Sequence, residues 1–213
     1  MLALPFLLPE LADETGLVAV GGDLRPQRLI QAYRSGIFPW YAAGEPICWW
    51  SPDPRAIFEL DGLYISRRLA RTLRSGRFQV TINQDFGGVM RGCAEAREEG
   101  TWITPEMIEA YETLHHHGHA HSVEVWEAGE LAGGLYGVAL GCLFAGESMF
   151  TRRRDASKVA LAHVVERLRQ RGFQLFDIQL LSAHTASLGA VEIPRKDYLE
   201  RLRRALAHSP RFA

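Results

Sequence analysis

Ser157-Lys-Val-Ala-Leu-Ala-His-Val-Val-Glu-Arg-Leu-Arg-Gln-Arg171, then Gly172, then Phe173-Gln-Leu-Phe-Asp-Ile-Gln-Leu180, decides the architecture. Val159, Ala162, Val165 and Leu168 recur at helical spacing, which predicts a long helix over 157–171. Gly172 stops it, and the apolar run after it predicts a strand over 173–180. Upstream, Ser122–Trp126, Leu131–Leu140 and Cys142–Met149 read as a meander of three strands with Gly-rich turns. Phe78–Ile82 adds another strand. Helices are expected from the Ser66 cap to about Gly76, from the Asp85 cap to about Arg97, and from Thr104-Pro105-Glu106 to Gly118. A last helix spans Asp197–His208. Alternating strands and helices predict an α/β (α+β) fold, a mixed sheet flanked by helices.

The first 60 residues differ in kind. Leu17–Val20 reads as a short strand ending at Gly21-Gly22, and Pro26–Ser35 as a helix with Gly36 at its end. Four prolines and three tryptophans crowd the stretch between Ile37 and Arg55. Proline removes ladder hydrogen bonds, so packing must hold this segment. Ala56–Leu60 reads as a strand leading out. The expected division is a small N-terminal domain over 1–60 and a larger domain over 61–213.

The 213 residues carry 24 Lys and Arg against 25 Asp and Glu, a net charge of -1. No global basic field exists, so nucleic-acid binding requires a local patch. Apolar residues at 47% exclude a disordered chain. Cys48, Cys93 and Cys142 are odd in number and far apart. A disulfide framework or a zinc knuckle is not expected, and a reducing cytoplasm fits. Met1–Glu10 is apolar but interrupted by Pro5 and Pro9 and lacks a basic start, so it reads as an ordered arm and not a signal peptide. No apolar run approaches the roughly 20 residues that span a bilayer.

Four features bear on chemistry. In the strand over 173–180, alternation puts Asp177 and Gln179 on one face. A carboxylate there is costly unless it is hydrogen-bonded or used. Two readings stand: a general base with an orienting amide, or a structural carboxylate that satisfies loop amides. Glu147, in Gly146-Glu-Ser, interrupts an apolar strand. It reads as a catalytic or cation-binding acid, or as an edge-strand or salt-bridged glutamate. Arg67, Arg68, Arg71 and Arg74 crowd the helix after Ser66, with Arg77 beyond it and only Asp61 nearby. They suit phosphate recognition or form a solvated face. Finally, His115, His116, His117, His119 and His121 cluster, but consecutive histidines at a helix end do not make zinc geometry, so no metal is expected.

Several segments together carry a resemblance. They are Gly21-Gly-Asp-Leu24, Tyr33-Arg-Ser-Gly-Ile-Phe-Pro-Trp-Tyr41, Trp49-Trp-Ser-Pro-Asp-Pro-Arg55, Thr101-Trp-Ile-Thr104 and Ala120-His-Ser-Val-Glu124. Gly133-Gly-Leu-Tyr-Gly137, Gly146-Glu-Ser-Met-Phe150, Ala156-Ser-Lys158, Asp177-Ile-Gln179 and Ser187-Leu-Gly-Ala190 complete the series. In this order, from about residue 16 to 200, the chain resembles the bacterial leucyl/phenylalanyl-tRNA–protein transferases.

The resemblance implies a GNAT-like acyltransferase fold behind a small N-terminal domain. It implies transfer of Leu or Phe, with Met as a further acyl group, from aminoacyl-tRNA to the N-terminal Arg or Lys of a protein. That protein is thereby marked for degradation by the N-end rule route. No metal, coenzyme A or other cofactor is implied, and no membrane; the working form is a monomer in the cytoplasm. Asp177 and Gln179 match the family's strand pair that assists attack by the acceptor amine, and Glu147 matches an acid near the reacting groups. Tyr33, Trp40 and Trp102 match aromatic positions around the tRNA 3′ end. Leu135 and Phe144 match the pocket for the transferred side chain, where the family often carries Met at the place of Leu135. Arg67, Arg68, Arg71 and Arg74 lie where the family binds tRNA phosphates. An alternative, a coenzyme A-dependent N-acetyltransferase, would want a Gly-containing pyrophosphate loop before a helix, and Arg152–Ser157 has no glycine. A non-catalytic tRNA- or peptide-binding module would explain the arginines but not the strand Asp-x-Gln.

Overall fold

The computed structural model describes residues 8–96, 101–208 and 210–213. Most of the expected N-terminal arm, and the expected helix end at Arg97, lie outside the described residues. A small antiparallel sheet comes first, built from β1 (Leu17–Val20), β2 (Phe38–Pro39) and β3 (Cys48–Trp50) in the order β1-β3-β2, with α1 (Pro26–Arg34) between β1 and β2. The sequence reading expected β1 and α1 but no strands in the proline-rich stretch. Pro39 is tolerated because β2 is an edge strand and needs fewer ladder donors. Two indole N–H groups add hydrogen bonds, from Trp49 Nε1 to Gly21 O at 2.8 Å and from Trp50 Nε1 to Trp40 O at 2.7 Å.

β4 (Arg55–Phe58) leaves this unit for a seven-stranded sheet. Its other members are β5 (Gln79–Ile82), β6 (Ala120–Glu127), β7 (Glu130–Leu140), β8 (Leu143–Thr151), β9 (Leu175–Gln179) and β10 (Val191–Ile193). The order is β10-β4-β9-β8-β7-β6-β5. Neighbours are antiparallel except β8 and β9, which run parallel and are joined by α5 (Ala156–Gln170). The sheet is therefore mixed, as expected. The division expected after residue 60 lies downstream of β4, and the chain passes from the small sheet to the large one between Trp50 and Arg55.

The helices α2 (Arg67–Arg74), α3 (Phe86–Glu95) and α4 (Pro105–His116) start where their caps predict. Ser66 Oγ accepts from Leu69 N at 3.2 Å, Asp85 Oδ1 from Gly88 N at 2.9 Å, and Thr104 Oγ1 from Met107 N at 3.2 Å. The short helix α6 (Ala183–Ala186) and β10 were not foreseen, being only a turn and three residues long. The last helix is α7 (Arg195–Ala205).

Alternation along β7 assigns the faces. Tyr136 and Val138 pack with Val89, Met107 and Tyr111 of α3 and α4, whereas Leu135 packs with Val159 and Val165 of α5. Ile57, Leu143 and Leu175 meet Tyr198 and Leu202 of α7.

The sheet is irregular at one place that matters. Tyr136 pairs with Ser148 and Gly137 with Gly146, so Glu147 is an extra residue without a partner on β7. Ala56 pairs with Gln179 and Ile57 with Asp177, so Ile178 is likewise skipped. Parallel pairing of β8 with β9 runs from Leu143↔Leu175 to Ala145↔Asp177. Beyond that point two bulged strands part, and bulges re-aim side chains and end pairing.

Candidate active site

Asp177 lies where the parallel pairing ends, and it is 1% exposed. Arg55 Nε donates to its Oδ1 at 2.9 Å and Arg55 Nη2 to its Oδ2 at 2.7 Å. Tyr198 Oη donates to Oδ2 at 2.9 Å, and the backbone N of Gln179 to Oδ1 at 2.9 Å. Arg55 is itself buried, with Nη1 donating to Gly36 O at 3.0 Å and the rings of Phe38 and Tyr198 at 4.9 and 4.4 Å. Burial works most strongly against the guanidinium charge, but Asp177, Tyr198 and Glu147 together outweigh it and hold Arg55 protonated. Asp177 thus spends its lone pairs inside the protein and borders neither of the two cavities at Glu147.

The strand face expected to join Asp177 and Gln179 does not continue. Gln179 has φ 62°, and Leu180 N donates to Ile178 O at 2.7 Å, a turn of the γ type. A non-glycine residue in this region is strained. The turn points the Gln179 amide across the gap, where Nε2 donates to Glu147 Oε1 at 2.8 Å.

Glu147 has a second contact behind it. Tyr111 Oη donates to Glu147 Oε2 at 3.4 Å, and Tyr111 and Tyr33 share a hydrogen bond of 2.5 Å between hydroxyls. Burial pushes the Glu147 carboxyl up to about 8; the Tyr33 hydroxyl works against the rise, the Asp177 charge adds to it, and Arg55 and Tyr111 oppose it. Part of Glu147 still reaches the pocket surface, but its carboxyl is packed among these groups. Tyr33 and Tyr111 are raised well above the ordinary tyrosine value, by burial first and by the Glu147 charge next, so both stay protonated donors.

Two cavities meet at Glu147. The larger, about 360 Å³, is bounded by Phe38, Pro39 and Trp40 of the small sheet and its exit, by Trp102, and by Ser148, Gln179 and Leu180 of the gap. The smaller, about 100 Å³, has apolar walls from Phe58, Leu135, Met149, Leu161, Phe176 and Ile178. Gly146 lies on its wall, and a side chain there would strike the Phe176 ring at 2.9 Å.

Of the residues expected at the site, Glu147, Gln179, Trp40 and Trp102 border the larger cavity, and Glu147 and Leu135 the smaller. Tyr33 and Phe144 lie one layer behind, and Asp177 lies under the sheet with Arg55. Arg55 and Tyr111 were not singled out in the sequence. An arginine opening the apolar strand Arg55-Ala-Ile-Phe58 was the available sign, since a buried carboxylate calls for a buried cation. Tyr111 had no sign of its own in the sequence.

The basic helix is less uniform than its sequence. Arg68 pairs with Asp155 at 2.9 Å and Arg77 with Glu127 at 2.5 Å, acids that are distant in sequence. Among the described residues, Arg67, Arg71 and Arg74 form no salt bridge, and all three are exposed. Two of the histidines are tied into the fold: His115 stacks on Phe86 at 4.5 Å, and His121 hydrogen-bonds with Asn83 Nδ2 at 3.0 Å, its pKa lowered by burial to about 4. Among the described residues, no three His, Cys, Asp or Glu side chains gather as metal ligands.

Comparison with known proteins fixes the class. The family described as leucyl/phenylalanyl-tRNA protein transferase matches residues 57–203, and its N-terminal domain matches residues 22–53. Leucyl/phenylalanyl-tRNA–protein transferases of Citrobacter koseri, Shigella dysenteriae and Escherichia coli are each 54% identical over 94% of this chain and 86% of theirs. Among solved structures, a ribosomal-protein-alanine N-acetyltransferase from Brucella melitensis is similar at TM-score 0.38 and 16% identity, over 50% of this chain and 81% of its own. A structure titled L-PGS from Bacillus licheniformis is similar at TM-score 0.40 and 11% identity, over 75% of this chain and 52% of its own. The protein is an aminoacyltransferase. It belongs to the leucyl/phenylalanyl-tRNA–protein transferase family.

Proposed function

We propose that this enzyme moves Leu or Phe from aminoacyl-tRNA to the α-amine of proteins beginning with Arg or Lys, and thereby marks them for degradation by the N-end rule route. On this reading it works as a cytoplasmic monomer; among the described residues, no helix is long and apolar enough to cross a membrane. The two proposed domains divide the labour, the N-terminal one walling the site and the larger one carrying the chemistry. The observation that carries the reading is the Glu147–Gln179 hydrogen bond at the junction of an apolar cavity and a wider one with two tryptophans on its wall.

The 100 Å³ cavity takes the acyl side chain, with Leu135 on its wall and Phe144 behind it. Trp40 and Trp102 stack on the tRNA 3′ end, with Tyr33 holding the floor beneath. Arg67, Arg71 and Arg74 meet tRNA phosphates, and Arg68 belongs to the same face though tied to Asp155. In the reaction a C–N bond forms to the ester carbonyl, the ester C–O bond breaks, and a proton passes from the amine to the departing ribose oxygen. Gln179 gives its Nε2 to Glu147, which leaves its Oε1 to accept from the incoming amine. Glu147, whose carboxyl keeps its proton up to about pH 8, accepts from Gln179 Nε2 and holds the amide in that orientation, while the amine's proton passes to the departing ribose oxygen as the ester C–O bond breaks. Asp177 acts through Arg55 and the Gln179 backbone, positioning the turn. The structural reading of that carboxylate is therefore favoured over a free general base. Aminolysis of an ester is downhill, so positioning and proton management suffice.

The test is to mix the protein with labelled Leu-tRNA and a protein beginning with Arg, without ATP, coenzyme A or added metal. Label should join the Arg protein and not one beginning with Asp. Transfer that requires coenzyme A, or none to either acceptor, would defeat the proposal.

A further inference from the structure

Phe212 follows α7 and lies beyond residues 57–203 that match the family pattern. It is 2% exposed. Its ring stacks on Phe144, with centroids 4.9 Å apart and planes at 16°, and meets Phe173 edge-on at 6.1 Å. His121 packs beside it at 4.8 Å. Arg167 Nε donates to Phe212 O at 2.6 Å and so ties the segment to α5. Phe144 in turn meets Phe176 edge-on at 5.6 Å, and Phe176 lies 5.5 Å from Phe58. Phe58 and Phe176 are walls of the 100 Å³ apolar cavity, whereas Phe144 and Phe212 stand behind them.

We propose that Phe212 is a specificity-determining positioning residue, which sets the depth of the acyl side-chain cavity by seating Phe144 against the Phe176 wall. This rests on the reading of that cavity as the acyl site. An apolar cavity of ~150 Å³ admits a benzene ring, and the cavity here is about 100 Å³. A branched aliphatic side chain suits it as it stands, whereas a benzyl group needs the back wall to yield. Interiors are close-packed, so that yield depends on what lies behind the wall. Phe212, stacked on Phe144, is what lies there. Removing its ring leaves space into which Phe144 and then Phe176 relax, because the surroundings of a new cavity collapse in part. The cavity deepens, and Phe gains on Leu.

The experiment measures single-turnover transfer from Leu-tRNA and from Phe-tRNA with Phe212→Ala, Phe212→Leu and Leu135→Ala. Phe212→Ala should raise the Phe-to-Leu rate ratio by about tenfold, the low end of what one methylene of pocket is worth. Phe212→Leu, which keeps apolar bulk, should give a smaller change in the same direction, and tRNA affinity should not move. Phe212→Leu decides alone if the alanine variant does not fold. If both rates fall together with thermal stability at an unchanged ratio, Phe212 is core packing only and the proposal is overturned. Leu135→Ala separates the two ideas. A ratio altered by Leu135→Ala but not by the Phe212 variants defeats the role of Phe212 and keeps the cavity as the acyl site. A ratio unmoved by all three defeats both.

Discussion

Glu147 Oε1 accepts a hydrogen bond from Gln179 Nε2 at 2.8 Å across the gap where two parallel strands part. Neither side chain reaches the other through regular strand geometry. Glu147 is the residue that β7 skips, and Gln179 lies in the left-handed region just after the residue that β4 skips. The site is made by two local failures of pairing placed opposite each other, and each has consequences that can be measured.

Glu147 should make stability fall as pH rises. Its folded value is about 8, against about 4.3 for an unfolded glutamate. Between these values the folded chain keeps a proton that the unfolded chain has released, so folding is favoured at the acid end of the window and loses that advantage as pH approaches 8. Glu147→Gln removes the titration. Thermal melts across the window should show a flatter profile for the variant, and a profile as steep as wild type would assign the effect to another group.

Asp177 and Arg55 should behave as one unit. Asp177→Asn leaves a buried guanidinium without its counter-ion, which costs about 3–5 kcal/mol. Denaturant titration should register that loss along with lower transfer. Adding Arg55→Gln should recover part of it, so that the double variant is less destabilised than the sum of the singles. Equal and independent losses would contradict a shared pair.

Gln179 separates backbone from side chain. Gln179→Gly relieves a left-handed conformation that alanine must keep, so it should be more stable than Gln179→Ala by up to about 1 kcal/mol. Both lose the amide and should lose most of the transfer rate. If glycine is the less stable of the two, the turn holds no strain. If either keeps the wild-type rate, the amide is not used.

The arginine helix should divide by partner. Replacing Arg67, Arg71 and Arg74 with Ala should weaken aminoacyl-tRNA binding and lower the salt slope of log K by about two to three. Arg68→Ala breaks a pair with Asp155 in which the arginine is half exposed. Because the Asp155 carboxylate is buried, losing this partner should cost about 1–3 kcal/mol of stability, with a smaller effect on tRNA than the triple variant. Filter binding over a salt series decides; an unchanged slope in the triple variant would reduce the helix to a solvated face.

Caps, glycine stops and apolar spacing were sufficient for most elements, because a helix start or a strand is settled by side chains within a few residues. Ser66, Asp85 and Thr104 each cap the helix they predict. The Asp177-Ile-Gln179 and Gly146-Glu-Ser148 stretches stood out because polar groups interrupt apolar strands, and both reach the site region. Their roles were not legible. Arg55 and Asp177 are 122 residues apart, and no local rule announces that they meet. The turn at Gln179 breaks the alternation that would put it beside Asp177, and it arises from a register shift against β4, a strand from the far end of the sequence. Sequence alone determined most of the strands and helices, though not β2, β3, β10 or α6, and which polar residues stand in apolar company. Only the tertiary structure decided which of those residues is tied up inside and which faces the cavity, because pairing register, burial and charge partnership are properties of segments brought together.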